Sequence, residues 1–275
     1  MFRIFRVIRK DILASPRANR YLLYATGELL LVIVGILIAL QINNWNEERL
    51  ERNQIREYAL NLSSALERDM EMLLPVDMQI RASIRQAELL ANYLRDRTID
   101  EMDNAELFFL SIHMGYRSYG WNRAALEQLK SAGGLRRMRN RDLAERISDY
   151  DALAQHLDQD YQEDEASARA IGELTKKLID LNYPREGLDE VLSWDDGFTE
   201  ADIEQRLTGF RETEAFGRLA GMQKPLLSSD LAEFRRLANM NVEYAENTWA
   251  RPNLELPRLR QFAAEIQAMI DAEYR

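Results

Sequence analysis

The feature that most constrains this chain is an apolar segment that begins at Tyr21, YLLYATGELLLVIVGILIALQINNW. Its twelve uncharged residues from 29 to 40 would cover, as a helix, only about 18 Å of a hydrocarbon core about 30 Å thick. A helix over residues 21–42 would cover roughly 33 Å. Tyr21 and Tyr24 would then lie at one membrane interface and Trp45 at the other. The sequence therefore predicts a transmembrane helix over residues 21–42.

A cleaved signal peptide and a buried core helix are the alternatives for this segment. A signal peptide would end at two small residues spaced as in Ala-x-Ala, whereas Ala39-Leu40-Gln41 has a small residue only at the first position. A core helix of a soluble protein seldom stays apolar around its whole circumference for five turns. Because the chain has no cysteine, a lipid-modified cysteine is excluded. We interpret the segment as an uncleaved signal anchor.

The charges on the two sides of the span predict its orientation. Residues 1–20 carry a net charge of +5, and the far side begins NNWNEE. Since the basic flank of a span stays in the cytoplasm, residues 43–275 should be exported. The whole chain carries −10, so residues 21–275 carry −15, and we expect no nucleic-acid partner.

The cytoplasmic segment, residues 1–20, opens with MFRIFRVIRKDIL, in which apolar residues recur at helical spacing. Arg3, Arg6 and Lys10 fall on another face, which is typical of an amphipathic helix lying on an anionic membrane leaflet. In that case these side chains anchor the interface. A simple charge cluster that only sets the topology explains the same residues, so both interpretations stay open.

Glu28 lies inside the predicted span, about 10 Å past Tyr21. An ionised carboxylate that faces lipid costs at least about 2 to 3 kcal/mol, so Glu28 should face another helix, be hydrogen-bonded or be protonated. Gly35 and Ala39 share its stripe, and their spacing allows two backbones to approach closely. We predict that Glu28, Gly35 and Ala39 pack against another span. Alternatively, Glu28 reaches the cytoplasmic headgroups or pairs with Arg20.

The remainder of the chain reads as helical. It has few glycines and prolines, and its apolar positions recur three and four apart rather than in alternation. The predicted fold is all-α: the transmembrane helix continues into an exported antiparallel helical bundle, residues 43–275, with a loop break expected near residues 184–198. Pro75 should end the first helix and begin a second. Further helices are expected over 104–114 and 122–132, from Asp142 to as far as Leu181, and from Thr199, Asp230 and Pro257.

Two stretches carry a family resemblance. RYLLYATGELLLVIVGILIALQINNWNEE, residues 20–48, resembles the anchor of a widespread bacterial family of single-pass inner-membrane proteins catalogued as a domain of unknown function. LEQLKSAGGLRRMRNRDLAERISDYDAL, residues 126–153, resembles an internal stretch of that family more loosely. The resemblance implies a bacterial inner-membrane protein with a periplasmic helical domain, and it implies no activity or site residue.

No recognisable catalytic constellation is present. His113 and Ser111 are two positions apart and would point away from each other on a helix, so they are not expected to form a base and nucleophile. A Gly-rich phosphate loop and a nucleophile elbow are missing. Asp195-Asp196-Gly197 lacks the earlier ligands of an EF-hand, since Leu192 and Trp194 stand there. We therefore expect no enzyme and no cofactor.

One helix face carries acidic residues beside a histidine. His156 and Asp160, together with Glu163 and Asp164, could hold a divalent ion weakly, but the spacing of a closed metal site is missing. We interpret these residues as a solvated acidic face and expect no bound metal.

Two functions agree with these features. In the first, the protein is a non-enzymatic scaffold in the bilayer that self-associates through its span and exported helices, or docks another envelope protein. In the second, Glu28 lines a proton or ion path in an oligomer, as in single-span stator and transport subunits of similar layout. Without a recognisable peptidoglycan-binding motif for the second, we favour the scaffold.

Overall fold

The computed structural model of the protein describes residues 16–112, 115–118, 123–188, 193 and 198–275. These residues form helices and connecting segments, with no strand among them, so the all-α prediction is confirmed for the described chain. The chain divides into two compact units, one that ends at Glu57 and one that begins at Tyr58.

Helix α1 runs from Pro16 to Asp96, and Pro75 lies inside it. The predicted continuation of the span into a longer helix is therefore observed, but the prediction that Pro75 begins a new helix is wrong. The reason is that the apolar stripe keeps its phase across the proline, because buried residues recur every seven positions: Leu66, Leu73, Ile80, Ala87 and Leu94. Packing of this stripe outweighs the hydrogen bond that the proline removes.

In the first unit, the apolar part of α1 is uncovered. Every large apolar side chain from Leu29 to Ile42 is exposed to solvent. Among the described residues, the structure contains one helix long and apolar enough to cross a membrane, and its most apolar window, of mean hydropathy 2.3, has none of its residues buried. By length and composition, this helix is compatible with a membrane anchor.

The second unit contains the rest of the fold. Its helices after α1 are α2 (Asn104–Ser111), α3 (Ala124–Ser131), α4 (Gly134–Arg137), α5 (Arg141–Leu178), α6 (Glu200–Gly209), α7 (Glu214–Ala220), α8 (Leu231–Thr248) and α9 (Leu256–Tyr274). A π-helical segment, Arg251–Glu255, connects α8 to α9.

Helix α5 is central to the core of this unit, since it packs against both α8 and α9. Its predicted inward stripe is buried at Leu143, Ile147, Tyr150, Ala154 and Leu157. Tyr161, the last residue of that stripe, is only partly buried.

The helix starts predicted at Thr199 and Asp230 are observed, and Asp103 and Asn140 are two further caps that were not predicted from the sequence. Asp103, Asn140 and Asp230 each accept a backbone hydrogen bond from the first turn that follows, and Thr199 forms a capping box with Asp202. The glycine stop after α3 is also observed, with Gly133 in a left-handed conformation at φ +67°. Residues 184–188 of the expected loop are not helical, and residues 189–192 and 194–197 lie outside the described part of the chain.

Candidate functional site

A cluster of buried charged residues lies where α5 meets the π segment. On α5, positions 156, 160 and 164 are four apart, so His156, Asp160 and Asp164 share one face. The π segment supplies Arg251 and Glu255, also four apart. We call these five residues the Arg251 cluster. Single-turn π segments are frequent at functional sites because they change the direction of a few side chains within a helix.

Arg251 is the centre of the cluster. Its Nε lies 3.3 Å from Oδ2 of Asp164, and its Nη1 lies 3.5 Å from Oδ2 of Asp160 and 3.4 Å from both carboxylate oxygens of Glu255. The side chains of Arg251, Asp160 and Asp164 are all at least nine-tenths buried. Three carboxylates therefore converge on one buried guanidinium.

His156 forms the outer edge of the cluster. Its Nε2 lies 3.3 Å from Oδ2 of Asp160 and 3.7 Å from Oε1 of Glu255. Although Oδ2 of Asp160 is fully buried, it makes no hydrogen bond within the described structure. Among the described residues, this oxygen is held by its ion-pair contacts with His156 and Arg251 alone.

Burial controls the protonation of this cluster. Desolvation raises the pKa of Asp160 and that of Glu255, although the positive charge of Arg251 acts in the opposite direction on both. For Arg251 itself, burial tends to lower the pKa, but the attraction of Asp164, Glu255 and Asp160 together exceeds that effect and raises it. The guanidinium is thus firmly charged, while two of its carboxylates hold protons more tightly than usual.

Asp164 is held from a second direction. The Tyr116 hydroxyl donates a hydrogen bond of 2.7 Å to its Oδ2, and the Tyr116 ring meets the Tyr161 ring edge to face at 5.5 Å between centroids. Burial and the nearby negative charge of Asp164 raise the pKa of the buried Tyr244. Asp164 is therefore engaged by Arg251 and Tyr116 together.

The expected solvated acidic face is wrong for two of its members. Asp160 and Asp164 are buried, whereas Glu163 is exposed as expected. The sequence interpretation considered α5 alone, and the residues that bury these carboxylates follow about 90 positions later. In the sequence, the only sign of the π segment's contribution is that Arg251 and Glu255 are spaced four apart. This spacing does not indicate that they contact α5.

The predicted membrane residues lie apart from this cluster. Glu28, Gly35 and Ala39 are exposed on α1, and a Cβ added at Gly35 would meet no atom within 4 Å. The interface aromatics Tyr21, Tyr24 and Trp45 are also exposed. Since the structure contains one chain, the predicted packing through these residues remains a prediction. The described residues do not include Arg3, Arg6, Lys10 or His113, nor, in the rejected EF-hand stretch, Leu192 and residues 194–197.

A second candidate is an open cleft of about 720 Å³ between α2 and the segment that follows α7. Lys224 and Gln223 line it, and Gln223 has a positive φ of 46°. The Lys224 amine, however, already donates to the carbonyl of Asn182 and pairs with Asp180 at 3.4 Å. Its charge is therefore used within the fold.

A comparison with known families gives one match. Residues 28–128 match a family described as "Family of unknown function (DUF6090)", a region that begins at Glu28 and ends within α3. The match supports a domain of unknown function, as the resemblance of the anchor implied. It includes only the first three residues of the stretch 126–153, which resembles the family more loosely. No curated protein and no solved structure matches. The Arg251 cluster, except its link to Tyr116, lies beyond the matched region.

Proposed function

We propose that this protein is a non-enzymatic, membrane-anchored helical scaffold of the bacterial inner membrane. The exposed apolar surface from Leu29 to Ile42 carries the proposal. Transfer of one Leu or Ile side chain from water to an apolar environment is favourable by about 1.5 to 3 kcal/mol. A helix that leaves so many of them uncovered by its own chain requires lipid or other helices around it.

The charge distribution supports an inside N-terminus and a periplasmic second unit. Residues 1–20 are basic, whereas the rest of the chain carries −15. A basic flank is retained on the cytoplasmic side of a span, and the acidic remainder does not attract the anionic inner leaflet. On this proposal the second unit presents its helices in the periplasm, to further copies or to another envelope protein.

Self-association through the span would use the stripe of Glu28, Gly35 and Ala39. In lipid, helices gain little from apolar contact with each other, so close backbone packing and polar contacts decide which spans pair. The space beside Gly35 is open, so a second helix can approach there. Glu28 would then face the partner helix instead of lipid.

The test is the oligomeric state of the full chain in lipid nanodiscs or mild detergent, measured by cross-linking and light scattering. Gly35→Leu should weaken the oligomer because it separates the two backbones. Gly27→Leu is the matched control, since position 27 lies about 100° around the helix from Glu28. If both leucine variants assemble as the parent does, the stripe is lipid-facing and self-association through the span is refuted.

Glu28→Gln distinguishes the scaffold from an ion path. The amide keeps a hydrogen-bonding group but removes the titratable proton, so a scaffold should assemble almost unchanged. If Glu28 lines an ion path, the variant should also assemble. Vesicles that carry the parent should then take up ions or protons, and vesicles that carry the variant should not. A flux that requires Glu28 would therefore replace the scaffold proposal.

A further inference from the structure

We propose that the Arg251 cluster binds one divalent transition-metal ion, ligated by Nε2 of His156, Oδ2 of Asp160 and a carboxylate oxygen of Glu255. The inference is independent of the membrane proposal, since all three ligands belong to the second unit. It also revises the sequence expectation of no metal, which considered ligands from α5 alone.

The spacing of the three ligand atoms fits such an ion. They lie within 4.8 Å of one another, and the two distances from Nε2 of His156 are 3.3 and 3.7 Å. In a tetrahedral zinc site with bonds of about 2.0 to 2.2 Å, neighbouring ligand atoms are about 3.3 to 3.6 Å apart. Small side-chain adjustments would complete three corners of a tetrahedron, and the fourth is left for water.

The buried Oδ2 of Asp160, which has ion-pair contacts but no hydrogen bond, is a second observation that favours a bound ion. The side chain is 91% covered, and Oδ2 lies 3.3 Å from Nε2 of His156 and 3.5 Å from Nη1 of Arg251 but accepts no hydrogen bond from either. A buried acceptor that makes no hydrogen bond costs about 1 to 3 kcal/mol, and more when it is charged. A metal ion bonded to Oδ2 would satisfy it.

The net charge of the cluster favours the binding of a divalent ion. Asp160, Asp164 and Glu255 contribute −3 when ionised, and Arg251 contributes +1. With a neutral imidazole the cluster therefore carries −2, which is costly in a buried site. A divalent ion brings this total to zero. Asp164 is occupied by Arg251 and the Tyr116 hydroxyl, so it stays outside the ligand set and orients Arg251.

The ligand types indicate which class of metal fits. Imidazole together with carboxylates suits zinc, manganese or iron, whereas magnesium and calcium prefer oxygen ligands alone. The His156 side chain is 55% exposed, so an ion can enter from solvent without opening the core. Once bound, the ion would connect α5 directly to the π segment and stabilise the junction of α8 and α9.

The experiment uses the untagged full-length chain in detergent micelles, stripped with a chelator and then titrated with Zn²⁺. We expect one zinc per chain by elemental analysis and a rise in the unfolding temperature on loading. His156→Gln should weaken zinc binding at least about tenfold, as expected for a lost ligand. Because His156 is at the surface, this variant should fold, and circular dichroism checks its helix content.

Two variants serve as controls. His113→Gln makes the same substitution at the other histidine of the chain, and Glu163→Gln removes an exposed carboxylate from the same helix. Both should bind zinc as the parent does. Substoichiometric zinc in the parent, equal affinity in His156→Gln, or equal binding of Mg²⁺ at the same concentration would overturn the site. Asp160→Asn, which keeps the shape of the side chain, should lose zinc as His156→Gln does.

Discussion

The Nε atom of Arg251 lies 3.3 Å from Oδ2 of Asp164, and the two residues are 87 positions apart in the chain. Both side chains are nine-tenths buried or more, so the contact joins α5 to the π segment within the core of the second unit. A buried ion pair of this type adds little net stability when complete, but either charge alone is costly.

Arg251→Met should therefore destabilise the second unit strongly. Three carboxylates would lose their shared cation, and removal of one partner from a buried pair typically costs about 3 to 5 kcal/mol. Thermal unfolding followed by circular dichroism measures the loss. Arg169→Met is the control, because Arg169 pairs with Glu165 on the exposed face of α5 and should change the unfolding temperature little. Equal effects in both variants would contradict the energetic importance of the cluster.

The second prediction concerns pH in chelator-treated, metal-free protein. Burial raises the folded-state pKa of Asp160 above its unfolded value of about 4. A carboxyl with a raised folded pKa binds its proton more tightly in the folded state, so its contribution to stability is present at low pH and is lost as pH rises through that pKa. Asp160→Asn should therefore lose less stability than the parent as pH rises above about 4.

Asp202→Asn supplies a control of opposite sign. Hydrogen bonds from Thr199 lower the pKa of Asp202, so its contribution is present above the unfolded value and is lost as pH falls. Relative to the parent, this variant should be less stable near pH 7 and converge with it in acid. Unfolding temperatures measured at several pH values give both slopes, and parallel curves for Asp160→Asn and the parent would contradict the assignment.

How far the sequence predicts this protein depends on the range of the interactions. Periodicity along one helix correctly gave the buried face of α5, and local capping residues gave the starts at Thr199 and Asp230. The sequence placed His156, Asp160 and Asp164 on one helix face, but it did not reveal that Arg251 and Glu255 contact them, because these contacts join segments distant in the chain. The sequence contains no comparable local signal for the π segment at Arg251 either.

Pro75 shows the opposite error, in which a strong local signal was given too much weight. An interior proline costs about 3 kcal/mol in a helix because it removes a hydrogen bond and crowds the preceding turn. Here the stripe of buried residues continues in phase on both sides, and tertiary packing holds the helix together. The apolar positions of the sequence keep the same helical spacing before and after Pro75, and this pattern would have predicted one continuous α1.

Pro75→Ala should therefore stabilise the second unit. The alanine restores a backbone donor within α1, and the gain is reduced by about 0.4 to 1 kcal/mol because alanine leaves the unfolded chain more freedom. We expect a net gain of about 2 kcal/mol, measured by denaturant unfolding in detergent. Pro257→Ala is the comparison: this proline lies in the first turn of α9, a position that tolerates proline, so we expect only the small loss of about 0.4 to 1 kcal/mol. Equal changes at both sites would refute the explanation.

Gly134→Ala should destabilise the turn between α3 and α4. A Cβ at this position would lie 2.4 Å from Cδ1 and 2.9 Å from the backbone oxygen of Leu129, so the backbone must shift. Overpacking of this kind costs about 1 to 3 kcal/mol. Gly172→Ala is the control within α5, where a Cβ meets no atom within 4 Å and should add about 0.5 to 1 kcal/mol. The unfolding temperature should therefore fall in Gly134→Ala and rise in Gly172→Ala.

The last prediction concerns the orientation of the membrane anchor. Because the chain has no native cysteine, a single cysteine can be introduced at Ser15 or at Ser64 and probed in intact cells with a thiol reagent that does not cross the inner membrane. The basic flank should hold residue 15 in the cytoplasm, so only the Ser64→Cys protein should be labelled. Permeabilised cells are the control, and there both proteins should react, since Ser64 is exposed on α1. Labelling of Ser15→Cys but not Ser64→Cys in intact cells would reverse the predicted topology. Equal labelling of both in intact cells would show that the apolar part of α1 does not place these two residues on opposite sides of the inner membrane.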